Sequence, residues 1–227
     1  MGPLLFSLAL HPLLERIKGI SGIDIVVGYL DDIVLAGEAA SISEALQLIV
    51  ASGLTLGLEV NLRKCELIPT ATTNTSVDLG SFPAEVKRVH DGNFKLLGAP
   101  IGSRDHCATF TKQKRVDKAK TVLDKAIPIE DQQIAHKLFV QCLGSCRLMH
   151  AMRTTRPDWI QAEAAQADSN LLDAWEASSG TALTPEARSQ AALPIRLGGL
   201  GLRSVRRHCS AACLSSRFNT RGLMRSH

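Results

Sequence analysis

The hydrophobic pattern divides the chain into a front part of mixed texture and a rear part of helices. Residues 3–16 place Leu4, Leu5, Leu8, Ala9, Leu13 and Leu14 at helical spacing. Pro3 falls in the first turn, where its missing N–H costs nothing. The segment is apolar on nearly every side, which predicts burial on both faces. Two β-branched and aliphatic runs then flank a polar break: Ile25-Val26-Val27-Gly28-Tyr29-Leu30-Asp31-Asp32-Ile33-Val34-Leu35. Strand-forming residues on either side of that break predict a β-hairpin over 24–36 with Asp31 and Asp32 at its tip. Ser41-Ile42-Ser43-Glu44 has the form of a capping box and predicts the start of a helix that Gly53 ends. Leu58-Glu59-Val60-Asn61 alternates as a strand, and residues 69–81, rich in Thr, Asn and Ser, predict a loop. Phe94 to Gly102 reads as a strand, a Gly/Pro break and a second extended piece. This order predicts an α+β fold, an antiparallel sheet with helices on one face.

After residue 104 the period becomes helical. Helices are predicted over 111–126 and 130–152, parted by Pro128, and over 159–178 after the Arg156-Pro157-Asp158 break. Thr184 and Pro185 supply a cap and a first-turn proline for another helix. Leu197-Gly198-Gly199-Leu200-Gly201-Leu202 is a glycine turn, and a last helix covers 203–217. The change of texture predicts a boundary at 104–110, separating a region 1–104 from a helical region 105–227. No internal repeat is visible.

Bulk composition narrows the class. Of 227 residues, 45% are hydrophobic and 21% charged, the profile of a globular chain and not of a disordered one. No apolar run is long enough to cross a bilayer. The apolar start lacks a basic leader and a small-residue cleavage site, so it does not read as a signal peptide, and Phe6 breaks the myristoylation pattern. Six cysteines are scattered without a secretory context, which predicts reduced thiols. Cys142/Cys146 and Cys209/Cys213 are each spaced to share a helix face. They are either buried small hydrophobes or, with His136, His150 or His208, zinc ligands. Charge is uneven. Residues 1–104 carry 8 Lys and Arg against 11 Asp and Glu, while 105–227 carry 18 against 11. The basic half includes Lys112-Gln113-Lys114-Arg115 and Arg203-Ser204-Val205-Arg206-Arg207. Such runs suit either a polyanionic partner or ordinary solvated helix faces.

The candidate chemistry centres on the adjacent carboxylates. Asp31 and Asp32 repel each other more as water is excluded, and a hard cation such as Mg²⁺ or Mn²⁺ relieves the repulsion. A solvated turn is the other reading, since Asp favours turns for its own backbone bonding.

Taken in order, five stretches resemble the reverse transcriptases of non-LTR retrotransposons. Tyr29-Leu30-Asp31-Asp32 resembles the family's YxDD motif. Gly2-Pro3-Leu4-Leu5-Phe6-Ser7 is similar to the end of the motif before it, and Gly57-Leu58-Glu59-Val60-Asn61 with Lys64 to the motif after it. Leu96-Leu97-Gly98-Ala99-Pro100-Ile101-Gly102 resembles the primer-grip hairpin. Leu193 to Arg203 resembles a segment that these elements carry well beyond the thumb. The likeness is densest over 1–104.

The resemblance implies a partial polymerase palm over 1–104, with its primer-grip hairpin, and a helical thumb-like region over 105–227. It implies RNA-directed DNA polymerisation, with two Mg²⁺ or Mn²⁺ ions in the full-length relative. Asp31 and Asp32 would ligate metal. Tyr29 would lie under the primer end, and Lys64 would protonate departing pyrophosphate. Leu97, Gly98, Ile101 and Gly102 would hold the primer. Lys112, Lys114, Arg115 and Lys118 would hold the heteroduplex of RNA template and DNA primer through its phosphates, with dNTP as the incoming substrate. The compartment implied is nuclear or cytoplasmic.

The sequence also departs from the family. The first catalytic Asp, several tens of residues before YxDD, has no counterpart among the 28 residues ahead of Tyr29. The fingers region has none either. Two of three carboxylates cannot build the shared metal site, which predicts that this chain alone does not polymerise. Three expectations follow. The missing front of the palm belongs to the same gene; or the chain is a non-catalytic nucleic-acid-binding remnant; or it is a remnant that folds poorly.

Overall fold

A computed structural model describes residues 2–69 and 79–225, with side chains described to residue 222. The fold is α+β and mostly helical. It divides into two compact units, Met1–His90 and Asp91–Met224. The division lies ahead of the boundary near 104 read from composition. The ribbon at 94–101 packs with the helix that follows it, where the Cys107 thiol meets the Pro100 carbonyl at 3.6 Å.

The first unit is a hairpin laid on two helices. Helix α1 spans Gly2–Lys18, strand β1 Ile23–Tyr29, strand β2 Asp32–Gly37, and helix α2 Ala39–Thr55. Leu10, Leu13 and Ile17 recur at helical spacing and are buried against Ala45 and Ile49 of α2. The inner face of the hairpin, with Val26, Ile33 and Leu35, closes this core. Gly28 lets α1 come close, because a Cβ there would stand 2.6 Å from Leu14 Cδ1. Each buried Leu or Ile contributes about 1.5–3 kcal/mol. Only one stripe of α1 is buried. Leu4, Leu5 and Leu8 stay about 60% exposed, so the expected burial on both faces is not seen within the described residues.

The helix after the hairpin does not start with the capping box. It begins at Ala39, and Ile42 N–H already donates to the Glu38 carbonyl. The Ser41 and Ser43 hydroxyls donate instead to the Ser21 and Ser81 carbonyls. Partners distant in sequence compete for these hydroxyls, which a local motif cannot register. The helix also runs past Gly53 to Thr55, and Gly57, at φ 72°, follows in the left-handed conformation. Residues 58–61 form no strand. A 3₁₀ turn, Leu62–Lys64, leads to β3, Glu66–Leu67, which pairs in parallel with β4, Lys87–Arg88. Of the predicted loop at 69–81, residues 70–78 lie outside the described residues.

The second unit opens with β5, Phe94–Leu96, and β6, Ala99–Ile101, an antiparallel ribbon. Helix α3, Arg104–Thr111, starts seven residues earlier than the period alone predicts, capped by the Ser103 hydroxyl accepting from His106 N–H. It continues through a π turn, Lys112–Val116, into α4, Asp117–Ala126. The buried positions explain the wide turn. Cys107, Thr111, Val116, Ala119, Leu123 and Ala126 step by three or four residues except for the five-residue step from 111 to 116. A π turn absorbs that step and keeps the stripe on one side.

Helix α5, Gln132–Leu138, runs through a second π turn at Phe139–Leu143 and a 3₁₀ turn to α6, Met149–Thr154. Helix α7, Gln161–Ser179, presents Ala164, Ala167, Leu171 and Ala174 at the same three-four-three spacing as Val116, Ala119, Leu123 and Ala126 of the π turn and α4. The alanines allow close helix packing. Helix α8, Pro185–Ala191, starts as its sequence predicts, with the Thr184 hydroxyl accepting from Ala187 N–H. Helix α9, Val205–Arg225, runs beyond the predicted end at 217.

Candidate functional site

The tip of the β1–β2 hairpin is a two-residue loop. Tyr29 pairs with Asp32 across the strands, leaving Leu30 and Asp31 as the loop. Such loops need a positive φ at a central position, which Gly or Asn supplies without strain. Here Leu30 takes it, at φ 56°. A leucine in that conformation costs about 1–2 kcal/mol.

Period-two alternation puts Tyr29, Val27 and Ile25 on the outer face of β1, opposite Asp32, Val34 and Ala36 of β2. Tyr29 is 60% exposed, and Asp31 and Asp32 are also exposed. Neither carboxylate takes part in a side-chain hydrogen bond or an ion pair among the described residues. The tip is therefore a solvent-facing pair of carboxylates beside an aromatic ring. Lys64 ends the 3₁₀ turn at 62–64 and is exposed, with no bond to either carboxylate.

Mg²⁺ and Mn²⁺ take carboxylate oxygens of this kind. No group of three or more His, Cys, Asp or Glu residues able to hold a metal is found among the described residues. Asp31 and Asp32 alone do not fit a site that two ions share. The cysteine pairs have separate environments: Cys209 and Cys213 are buried on α9, whereas Cys142 and Cys146 are exposed. Burial, helped by Asp168 and Cys213, pushes the Cys209 thiol up to about 11.

The second predicted ribbon forms as expected, with Phe94 opposite Ile101 and Leu96 opposite Ala99. Its two-residue loop is Leu97-Gly98, with both residues at positive φ, 47° and 80°. Leu30 and Leu97 are the only non-glycine residues with positive φ among those described. Each sits at the tip of a hairpin to which the sequence assigns chemistry. Ile101 ends β6 and is exposed, and Gly102 follows it on the way to α3.

The four predicted backbone-binding cations have different surroundings. Lys114 and Lys118 are exposed and have no ion pair among the described residues, while Lys112 faces Asp117 at 3.5 Å. Arg115 turns inward and donates to the Gly98 carbonyl at 2.7 Å. That bond anchors the ribbon tip to the helix. His150 lies beside the same glycine, 3.9 Å from where a Cβ would stand. Burial first, and then the charges of Arg115 and Arg153, hold the His150 imidazole below its ordinary range.

The structure thus brings Tyr29 and Asp32 together at one tip and Leu97, Gly98 and Arg115 together at the other. The place of His150 beside Gly98, a residue the sequence offered only as a zinc ligand, and the bond from Arg115 to Gly98 escaped sequence reasoning. Arg115 reaches the ribbon from within the π turn, and only the five-residue step between apolar positions hinted at that turn. The chain matches no family model, and no curated protein or solved structure is similar to it.

Proposed function

We propose that this chain supplies the carboxylate hairpin and the primer-holding ribbon of a reverse-transcriptase type of palm, binding an RNA template paired to a DNA primer. One observation carries the reading. The two non-glycine residues at positive φ among those described, Leu30 and Leu97, lie at the tips of the two hairpins that resemble YxDD and the primer grip. Backbone strain persists where surrounding structure over-determines it, and it gathers at sites that position a ligand.

In this reading, Tyr29 and the outer face of β1–β2 meet the primer end, and Asp31 and Asp32 face the reacting phosphate. The Leu97-Gly98 tip, tied down by Arg115, supports the primer strand with Ile101 and Gly102. Lys112, Lys114 and Lys118 meet backbone phosphates, and Lys64 serves the departing pyrophosphate of the dNTP. Polymerisation forms a bond from the primer 3′-oxygen to the α-phosphorus, breaks the bond to pyrophosphate and transfers the hydroxyl proton. Two carboxylates do not complete the shared site for Mg²⁺ or Mn²⁺ that this chemistry uses. The chain by itself therefore holds the primer end without extending it.

A heteroduplex with a photoreactive nucleotide at the primer 3′ end tests this. Cross-links are expected in the peptide spanning 23–37, and, from a photoreactive nucleotide farther up the primer strand, in the peptide spanning 94–102. Cross-links confined to other peptides, or no binding of the duplex, would sink the proposal. Primer extension with either metal, lost in Asp31→Ala, would overturn the two-carboxylate limit.

A further inference from the structure

The second basic run singled out in the sequence, at 203–207, has no part in the hairpin reading. The structure shows what it begins. After Glu186 the chain contains eight arginines, no lysine and no carboxylate side chain. Most of them lie on α9 or just before it.

The rotation of α9 is fixed by its base. The Asp168 carboxylate of α7 accepts from Val205 N–H at 2.6 Å, from Arg206 N–H at 3.2 Å and from the Ser204 hydroxyl at 2.6 Å. Val205, Cys209 and Cys213 are buried against the helical core. Their burial leaves an adjoining face of the helix outward. On that face Arg206, Ser210, Leu214, Arg217 and Arg221 follow one another at steps of three or four residues. Arg207 and Phe218 flank them on one side.

None of these arginines forms an ion pair among the described residues. Leu214 is 70% and Phe218 72% exposed. The track from Arg206 to Arg221 is about 22 Å long at 1.5 Å per residue. At its base it opens into a groove of about 510 Å³, where the hydroxyls of Ser189, Ser204 and Ser210 join Arg206 and Arg207.

We infer that this face of α9 binds single-stranded nucleic acid. Guanidinium groups fork onto phosphate oxygens and are weakly hydrated, so arginine is suited to a phosphate backbone. The Ser189 and Ser210 hydroxyls at the base add neutral donors, while that of Ser204 is given to Asp168. Phe218, between Arg217 and Arg221, offers an open ring on which an unpaired base stacks. No carboxylate lies on the helix itself, and Asp168, which lines the groove at its base, is engaged by three donors. A membrane surface fits less well. Interfacial helices carry a broad apolar face, whereas the large apolar side chains here are two among four arginines. The inference does not rest on the palm reading, since no residue of either hairpin takes part.

Fluorescence anisotropy of the full chain with a labelled 20-nucleotide RNA of mixed sequence tests it. Salt-dependent binding is expected, with duplex of the same sequence a weaker competitor. Arg217→Gln with Arg221→Gln should weaken binding at least tenfold and reduce the log–log salt slope by about 1.4, at 0.7 per phosphate contact. Phe218→Ala should weaken it about tenfold with the slope unchanged, because stacking releases no counterions. All three side chains are exposed, so the variants keep the fold, which circular dichroism checks. The pair Lys125→Gln, Lys137→Gln, exposed lysines outside α9, should bind the single strand as the wild type does. Wild type failing to bind, α9 variants binding like wild type, or vesicles containing phosphatidylserine being bound in place of RNA would each overturn the inference.

Discussion

Replacing Asp168 with alanine removes the carboxylate on which α9 starts. Three donors lose their acceptor: Val205 N–H, Arg206 N–H and the Ser204 hydroxyl. Their surroundings set the cost. Val205 is 2% exposed, so its amide has little access to replacement water, a loss of about 1–3 kcal/mol. Arg206 is exposed and its N–H rehydrates. The Ser204 hydroxyl keeps its second role, accepting from Arg207 N–H at 3.1 Å, so the cap is not wholly lost. Removing a negative charge from the helix N-terminus adds about 0.5 kcal/mol. The sum is about 3 kcal/mol. At a urea slope near 2 kcal/mol per molar, the midpoint should fall by about 1.5 M. Trp159 and Trp175 pack against the two core clusters of this unit, so tryptophan fluorescence reports its unfolding. Asp168→Asn keeps an acceptor without the charge and should lose about half as much. A midpoint shift below about 0.4 M for the alanine variant would refute the view that this carboxylate holds α9 in place.

Four further outcomes can be measured. Leu97→Asn places Asn-Gly in a loop that needs two positive φ values, and should raise Tm by a few degrees for about 1 kcal/mol of relieved strain. Gly28→Ala forces a methyl group against Leu14 and should cost about 1–3 kcal/mol in chemical denaturation. The folded state holds His150 below its ordinary pKa, so the unfolded chain binds that proton more readily. Stability should be complete above the unfolded value, near 6.5, and fall as pH drops below it; thermal melts should show a smaller acid decrement in His150→Gln. At pH 8, iodoacetamide should modify the exposed Cys142 and Cys146 within minutes and leave Cys209 intact in mass spectra, because burial keeps that thiol protonated.

Both hairpins were legible from local pattern. β-Branched runs around a short polar or glycine break admit few other structures, and the strands form at 23–37 and 94–101 as expected. The start of α8 was legible for the same reason, since Thr184 and Pro185 act within one turn. The capping box at 41–44 misled because its hydroxyls bond to Ser21 and Ser81, residues that folding alone brings near. The alternating run at 58–61 found no partner strand, and alternation specifies a face, not a pairing.

The residues by themselves determined the paired carboxylates, the two ribbon tips, the helical rear half and its excess of positive charge. These are properties of composition and of short-range period. Tertiary structure alone decided that Leu30 and Leu97 carry the backbone strain, that Arg115 reaches back to the Gly98 carbonyl, and that α9 turns its arginines outward. Each of these depends on contacts between segments far apart in the chain. Packing selects among conformations that local propensity leaves nearly equal in free energy.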